Sequence, residues 1–238
     1  MMNENYSAVA AEYYDHKLHP TCYDFCRFSR FYLESMLAPD DVARPILEVG
    51  AGDSVVASIL NGRNQTLHGL EITDASKQML AYSTKWSSLG AQLRVAPADE
   101  LDRPDRSTAL IIASLCDPYN TPKFWIEAAR VLEEGGRIIA TIPSYRWATR
   151  YRGDRHISTA EFVLTNGQKV RLPSFIFDLR SQLDIFESAG LHLINFFDVG
   201  PAESGLEITS PKLNAPDETN LSVIWGFSVK KNTNGIIS

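Results

Sequence analysis

Apolar positions in the first 44 residues recur every three or four places, with Phe25, Phe28, Phe31, Tyr32 and Met36 the clearest series. That spacing predicts two helices, over 5–16 and 21–37, with Thr21 placed to cap the second and Pro20 and Pro39 punctuating their ends. From Pro45 onward the pattern changes. Short apolar runs (PILEVG, TLHGLEI, AQLRVA, STALIIASL, GGRIIATIP) alternate with helical stretches: DSVVASIL, DASKQMLAYSTKW, a short one near Asp99 to Leu101, and PKFWIEAARVL. Apolar strands separated by helices predict a parallel sheet covered on both faces. Over 143–177 the rhythm breaks: AEFVLTNGQKVRLPSF holds two strand-like runs about Asn166-Gly167, a hairpin signal in which both turn positions want positive φ. Alternation resumes with a helix near 178–189, the strand LHLINFFDV, a polar rim loop over 200–218 and a last strand LSVIWGFSVK, and NTNGIIS reads as a frayed end.

Composition narrows the class. The chain has 238 residues, 44% of them apolar, and 23 Lys plus Arg against 29 Asp plus Glu, for a net charge of −6. No run approaches the roughly 20 apolar residues that span a bilayer. The N-terminus lacks the basic and apolar regions of an export signal, so a cytoplasmic location is expected. An acidic balance argues against a nucleic-acid binder, which needs a basic stripe. Cys22, Cys26 and Cys116 make neither a zinc site nor a disulfide framework, so no metal is expected. No repeat or linker marks a boundary, and one domain over 1–238 is expected.

The chemistry centres on the end of the first strand, Glu48-Val49-Gly50-Ala51-Gly52-Asp53-Ser54. Glycines at a strand-to-helix turn admit a ligand to the backbone, and the helix N-terminus offers free N–H groups. Asp53 reads as the cap of that helix. A second acidic residue, Glu71, ends Gly69-Leu70-Glu71 and is placed to accept from two ribose hydroxyls. A dinucleotide fingerprint needs a third glycine where this chain has Val55, which weakens that reading, whereas Glu48 suits a ligand bearing an α-amino group.

At this point the sequence resembles the class I S-adenosylmethionine-dependent methyltransferases. Glu48, Gly50 and Gly52 match the family's acidic-x-Gly-x-Gly-x-Gly motif, with Ser54 in place of its last glycine, and Ala51 lies within the same turn. The resemblance implies that Glu71 binds the ribose, Ile72 lies beside the adenine, and Asp99, next to Ala98, accepts from the adenine amine. Asp74-Ala75-Ser76-Lys77-Gln78-Met79-Leu80 looks like the helix opening that follows, with Met79 and Leu80 in the core. It further implies that Ser114, after the fourth strand, meets the cofactor, and that Tyr14 on an N-terminal lid helix covers its methionine end. S-adenosyl-L-methionine is the implied cofactor, and S-adenosyl-L-homocysteine the product. The implied fold is α/β: a Rossmann-like three-layer sandwich with a seven-stranded, mostly parallel sheet, an antiparallel last strand, a helical lid and a hairpin insertion after the fifth strand.

Four segments follow: a lid over 1–44, a cofactor-binding half over 45–142, a substrate-binding insertion over 143–177, and the rest of the sheet over 178–238. Methyl transfer needs positioning and, for a protonated nucleophile, a base. The candidate bases are His16, His19, Asp117, Tyr119 and His156; His19 and His156 stand in the lid and insertion, where the family resembled builds its substrate pockets, and Asp117 follows the fourth strand beside the expected methyl group. The insertion carries Arg146, Arg150, Arg152 and Arg155 among Tyr145, Trp147 and Tyr151. Arg146 and Arg150, with Tyr119, are therefore candidate contacts to an anionic acceptor, a solvated helix face being the competing reading. The expected function is methylation of oxygen or nitrogen on a small molecule. Nucleic-acid or protein methylation, with Asp117-Pro118-Tyr119 a partial echo of a base-methylating motif, and a non-catalytic cofactor-binding subunit stay open.

Overall fold

The computed structural model describes residues 2–152, 158–214 and 221–232. Nine strands are described: β1 (Ile46–Glu48), β2 (Leu70–Asp74), β3 (Gln92–Val95), β4 (Thr108–Ala113), β5 (Leu132–Pro143), β6 (Thr159–Val163), β7 (Lys169–Pro173), β8 (Leu191–Val199) and β9 (Ile224–Lys231). Seven of them form one sheet in the order β3-β2-β1-β4-β5-β9-β8. The pairings among β1 to β5 are parallel, while β9 runs antiparallel to both β5 and β8. The antiparallel last strand is as expected. At the sheet centre β4 is buried along its whole length, the signature of a strand covered on both faces.

Helix α1 spans Met2–Tyr13 and α2 spans Pro20–Met36. The first starts earlier than the periodicity predicts. The cap of α2 is His19, followed by Pro20 in the first turn, and Thr21 instead bonds Ser210 through its hydroxyl at 2.7 Å. Proline suits that position because the N–H it lacks is unpaired there anyway. Helix α2 does more than roof a site. Its Phe28, Tyr32 and Leu33 are buried with Val56, Ile59 and Leu60 of α3 (Val55–Gly62) in the core on one sheet face. Gly226 of β9 is glycine because the Tyr32 ring lies against it: a Cβ there would stand 2.6 Å from the ring. On the other face α5 (Pro122–Val131) and α7 (Leu179–Ser188) bury Trp125 and Phe186 edge to face, 4.6 Å between centroids.

Three local expectations are corrected. After β2, α4 (Lys77–Leu80) lasts one turn and continues as a 3-10 segment over Ala81–Leu89. No helix forms near Asp99 to Leu101. The hairpin of β6 and β7 is present, but only Gly167 of its turn has positive φ, +82°. Leu164 N–H bonds Gln168 O and Gly167 N–H bonds Leu164 O, both at 2.9 Å, so the loop has three residues with glycine in the left-handed position. Short helices α6 (Tyr145–Arg152) and α8 (Pro201–Ser204) complete the described elements, and no described helix is long and apolar enough to cross a membrane.

Candidate functional site

The glycine turn is built by the strands beside it. Strand β1 ends at Glu48, opposite Ile72, while β2 runs on through Thr73 and Asp74. The turn folds back along that overhang: Ala51 N–H bonds Thr73 O at 2.9 Å and Gly52 N–H bonds Asp74 Oδ2 at 2.9 Å. Gly50 (φ +62°) and Gly52 (φ +53°) both adopt the left-handed conformation that side chains resist. Two tyrosines close on them. Tyr119 donates to Val49 O at 2.6 Å and lies across Gly50, where a Cβ would be 2.4 Å from its ring, while Tyr14 Oη accepts from Asp53 N–H at 2.8 Å and covers Gly52.

Beneath the turn, Glu48 is fully buried. Its carboxylate accepts from Val55 N–H (3.0 Å), Val56 N–H (3.2 Å) and the Ser54 hydroxyl, which occupies the first N–H groups of α3. Burial pushes its pKa up to about 7 against the pull of those bonds. The cap of α3 is Ser54, whose hydroxyl accepts from Ala57 N–H, and not Asp53, which pairs with Lys85 at 2.9 Å. Asp53 instead lies at the cavity edge with Lys85, because the buried place at the helix start is held by Glu48 and Ser54.

A cavity of about 330 Å³ opens over the carboxyl ends of β1 to β4. Strand-end crevices of this kind are where parallel α/β sheets bind ligands, and the volume falls in the usual range for small-molecule sites. Its floor is Gly50, Ala51, Asp74, Ala98, Asp99 and Ser114, and α1 and α2 roof it with Tyr6, Tyr13, Tyr14 and Cys26. Asp74 Oδ1 accepts from Ser76 N–H at 2.7 Å, and burial raises the carboxyl above its ordinary value. Burial also holds Tyr6, Tyr13, Tyr14 and Tyr119 well above the usual phenol range and Cys26 at about 12, so all stay protonated donors.

The acidic residue facing the cavity from β2 is Asp74 and not Glu71. Glu71 sits three residues back in the strand, paired with Arg94 at 2.6 Å and with Arg103, and does not line the cavity. Ile72 is buried in the core and not beside the cavity, while Ala75, which the sequence did not mark, lies in the wall. The signal that marks Asp74 is present in the sequence: it, and not Glu71, immediately precedes the Ala75-Ser76 opening of α4.

Of the other expected residues, Tyr14, Gly50, Ala51, Ala98, Asp99, Ser114 and Tyr119 line the cavity, with Asp99 also bonded to Lys123 at 2.8 Å. Glu48 and Gly52 support it from below. His19 lies outside it, its ring tilted against that of Phe162 with 3.9 Å between centroids, and 3.6 Å from Glu12, where α1 meets the hairpin. Asp117 flanks it: its carboxylate takes the Ser174 hydroxyl and its carbonyl takes Phe175 N–H at 2.7 Å. Arg146 and Arg150 are exposed on α6 beside Trp147, Tyr151 and Lys212, away from the cavity. Sequence spacing could not show which way α6 would turn. His156 and Arg155 lie outside the described residues.

Residues 47–140 match the family described as the methyltransferase domain. The fold resembles a chain from the complex of the Haloferax volcanii Trm112 methyltransferase activator, at 13% identity and TM-score 0.67 over 99% of this chain and 100% of that one. It also resembles an S-adenosylmethionine-dependent methyltransferase from Clostridium acetobutylicum, at 14% identity and TM-score 0.62 over 94% and 98% of the two chains. A third likeness is to the DhpI–SAM–HEP complex, at 15% identity and TM-score 0.61 over 94% of each chain. No curated protein matches the sequence.

Proposed function

Since residues 47–140 carry a methyltransferase domain and the sheet is that of the class I Rossmann-like fold, we propose that this protein transfers a methyl group from S-adenosylmethionine to an oxygen or nitrogen of a small-molecule acceptor. The observation that carries the reading is the array of Asp99, Asp74, the glycine turn and Ser114 at the carboxyl ends of four adjacent strands around one cavity.

The residues fit that cofactor. Asp74 spends one lone pair of each oxygen on a backbone N–H and keeps others for the two ribose hydroxyls. Ala75 and Ala98 flank the adenine, and Asp99 accepts from its amine. Gly50 and Ala51, in the cavity floor, present backbone to the methionine end. When bound, S-adenosylmethionine supplies a methyl group already activated by its positive sulfur. The protein's part is to exclude water and hold the acceptor in line, which the aromatic roof of Tyr6, Tyr13 and Tyr14 does. Asp117, close enough for its charge to raise the Tyr6 phenol, is our candidate for taking the acceptor's proton.

We read residues 1–238 as one domain, with α1 and the hairpin as its roof. Arg146 and Arg150 lend no support to a negatively charged acceptor, whereas Arg27 and Arg30 of α2 line the cavity. The likeness to the activator-bound Haloferax chain favours a second reading, in which turnover needs a partner subunit. A purified chain that binds cofactor yet stays inactive with every small acceptor would point to it.

The test is calorimetric titration with S-adenosylhomocysteine. Asp74→Asn is expected to weaken binding at least tenfold, and Glu71→Gln to leave it within twofold. No binding by the native chain, or binding indifferent to Asp74→Asn, overturns the cofactor reading.

A further inference from the structure

Three hydroxyls, two of them buried, link the lid helix to the cavity. Thr141 Oγ1 on β5 accepts from Leu115 N–H at 2.8 Å, Ser29 Oγ on α2 lies 2.7 Å from Thr141 Oγ1, and Ser114 Oγ lies 2.8 Å from Ser29 Oγ. Thr141 and Ser29 are fully buried, and Ser114 lines the cavity. The hydrogens in this chain follow from counting. A buried hydroxyl must place its proton on an acceptor. Among the described residues Thr141 has Ser29 as its one acceptor, so it donates there, and Ser29, its lone pair so engaged, donates onward to Ser114. Ser114 therefore receives a hydrogen bond from behind and has its own O–H left for the cavity.

Leu115 carries a second, independent mark. Its φ is +49°, a left-handed backbone in a branched residue, and its N–H is pinned by Thr141. Non-glycine residues held in that region are strained and persist where their surroundings dictate the geometry. The same hydroxyl thus pins the turn after β4 and starts the chain that aims Ser114.

What the donor faces follows from the sheet order, and this step rests on the cofactor reading above. Neighbouring strands lie about 4.8 Å apart, so β3 and β4 are separated by some 14 Å. With the adenine at Asp99 after β3 and the ribose at Asp74 on β2, the methionine end extends past β1 toward Ser114. We propose that Ser114 donates to the carboxylate of the cofactor's methionine portion, and that Ser29 and Thr141 are positioning residues that fix the direction of that donation.

The experiment compares two ligands of the full chain, S-adenosylhomocysteine and 5′-methylthioadenosine, which lacks the amino-acid carboxylate. A hydrogen bond to a charged group contributes about 1.5–3 kcal/mol, equivalent to tenfold or more in affinity. Ser114→Ala is expected to weaken S-adenosylhomocysteine about tenfold and leave methylthioadenosine within twofold. Ser29→Ala is expected to lower the affinity ratio of the two ligands in the same sense by threefold or more. Thr141→Val should do likewise, and Thr141→Ser, which keeps the hydroxyl, should restore the native ratio. A purely structural defect would weaken both ligands together and leave the ratio unmoved. Native binding of S-adenosylhomocysteine with an unchanged ratio in Ser114→Ala and Ser29→Ala overturns this inference alone. Failure of the native chain to bind either ligand overturns the cofactor reading as well.

Discussion

Glu48 is a carboxyl sealed under the glycine turn with no cation beside it, facing only backbone N–H groups and a hydroxyl. Because its folded pKa, about 7, lies above the ordinary value of 4.5, the folded state holds its proton more tightly than the unfolded chain. The stability linked to this proton is fully present below about pH 4.5 and is lost as pH rises through 7. Glu48→Gln copies the protonated form and removes that loss. Between pH 5 and pH 8, urea unfolding is expected to show the variant gaining on the native chain by roughly 2–3 kcal/mol. An equal difference at the two pH values would contradict the burial-driven shift. The residue scale is also where two acidic side chains three positions apart exchange places: Glu71 satisfies Arg94 and Arg103 while Asp74 faces the cavity.

Among elements, α1 and the hairpin act as one roof. Val9 is buried against Phe162, Val170 and Leu172. Thr165 N–H bonds Glu12 at 3.0 Å, and Asn5 Nδ2 bonds Arg171 O at 2.8 Å. Helix α1 reaches the other way to the cofactor side, through Ser7 to Ser76 at 2.9 Å and Ala10 O to the Tyr82 hydroxyl at 2.7 Å. Opening the cavity from above therefore requires helix and hairpin to lift together. Val9→Asp puts an unpaired charge at that junction, at a cost of several kcal/mol. Hydrogen exchange should rise together in 2–13 and 159–173 while β4 and β5 keep their protection. Faster exchange in the helix alone would show the two elements to be independent. His19, with Phe162 and Glu12, belongs to this junction, which explains why a histidine stands between the lid helices without touching the site.

At the scale of the molecule, a ligand that bridges four strand ends and the roof should stabilise the fold as a whole. Binding only the folded state at a hundredfold excess over Kd contributes about 2.7 kcal/mol. For a chain of this length that corresponds to a rise in Tm of ~5–10 °C with saturating S-adenosylhomocysteine, read by calorimetry or dye fluorescence. Asp74→Asn, binding at least tenfold more weakly, is expected to remove about half of the rise or more at the same ligand concentration. The alternation of apolar strands and helices was legible because burial on both faces leaves a continuous apolar run, as in Thr108–Ala113, and that run is a local property of the chain. The glycine turn was legible for a related reason, since positive φ demands particular residues wherever the turn ends up.

What the sequence by itself determined is the order of elements, the turn after β1 and the chemistry present at each strand end. Only the tertiary structure decided which of those groups meet. The reach of β2 past β1 is a matter of pairing between strands far apart in the chain, and it selects Asp74 over Glu71. The direction in which α6 presents Arg146 and Arg150 depends on how it docks against the loop that holds Lys212 and Leu213. The hydroxyl chain joins residues 29, 114 and 141, whose separation of 85 and 112 positions leaves no local signal. Periodicity records what each segment buries, whereas contact between distant side chains is settled only when the layers close on one another.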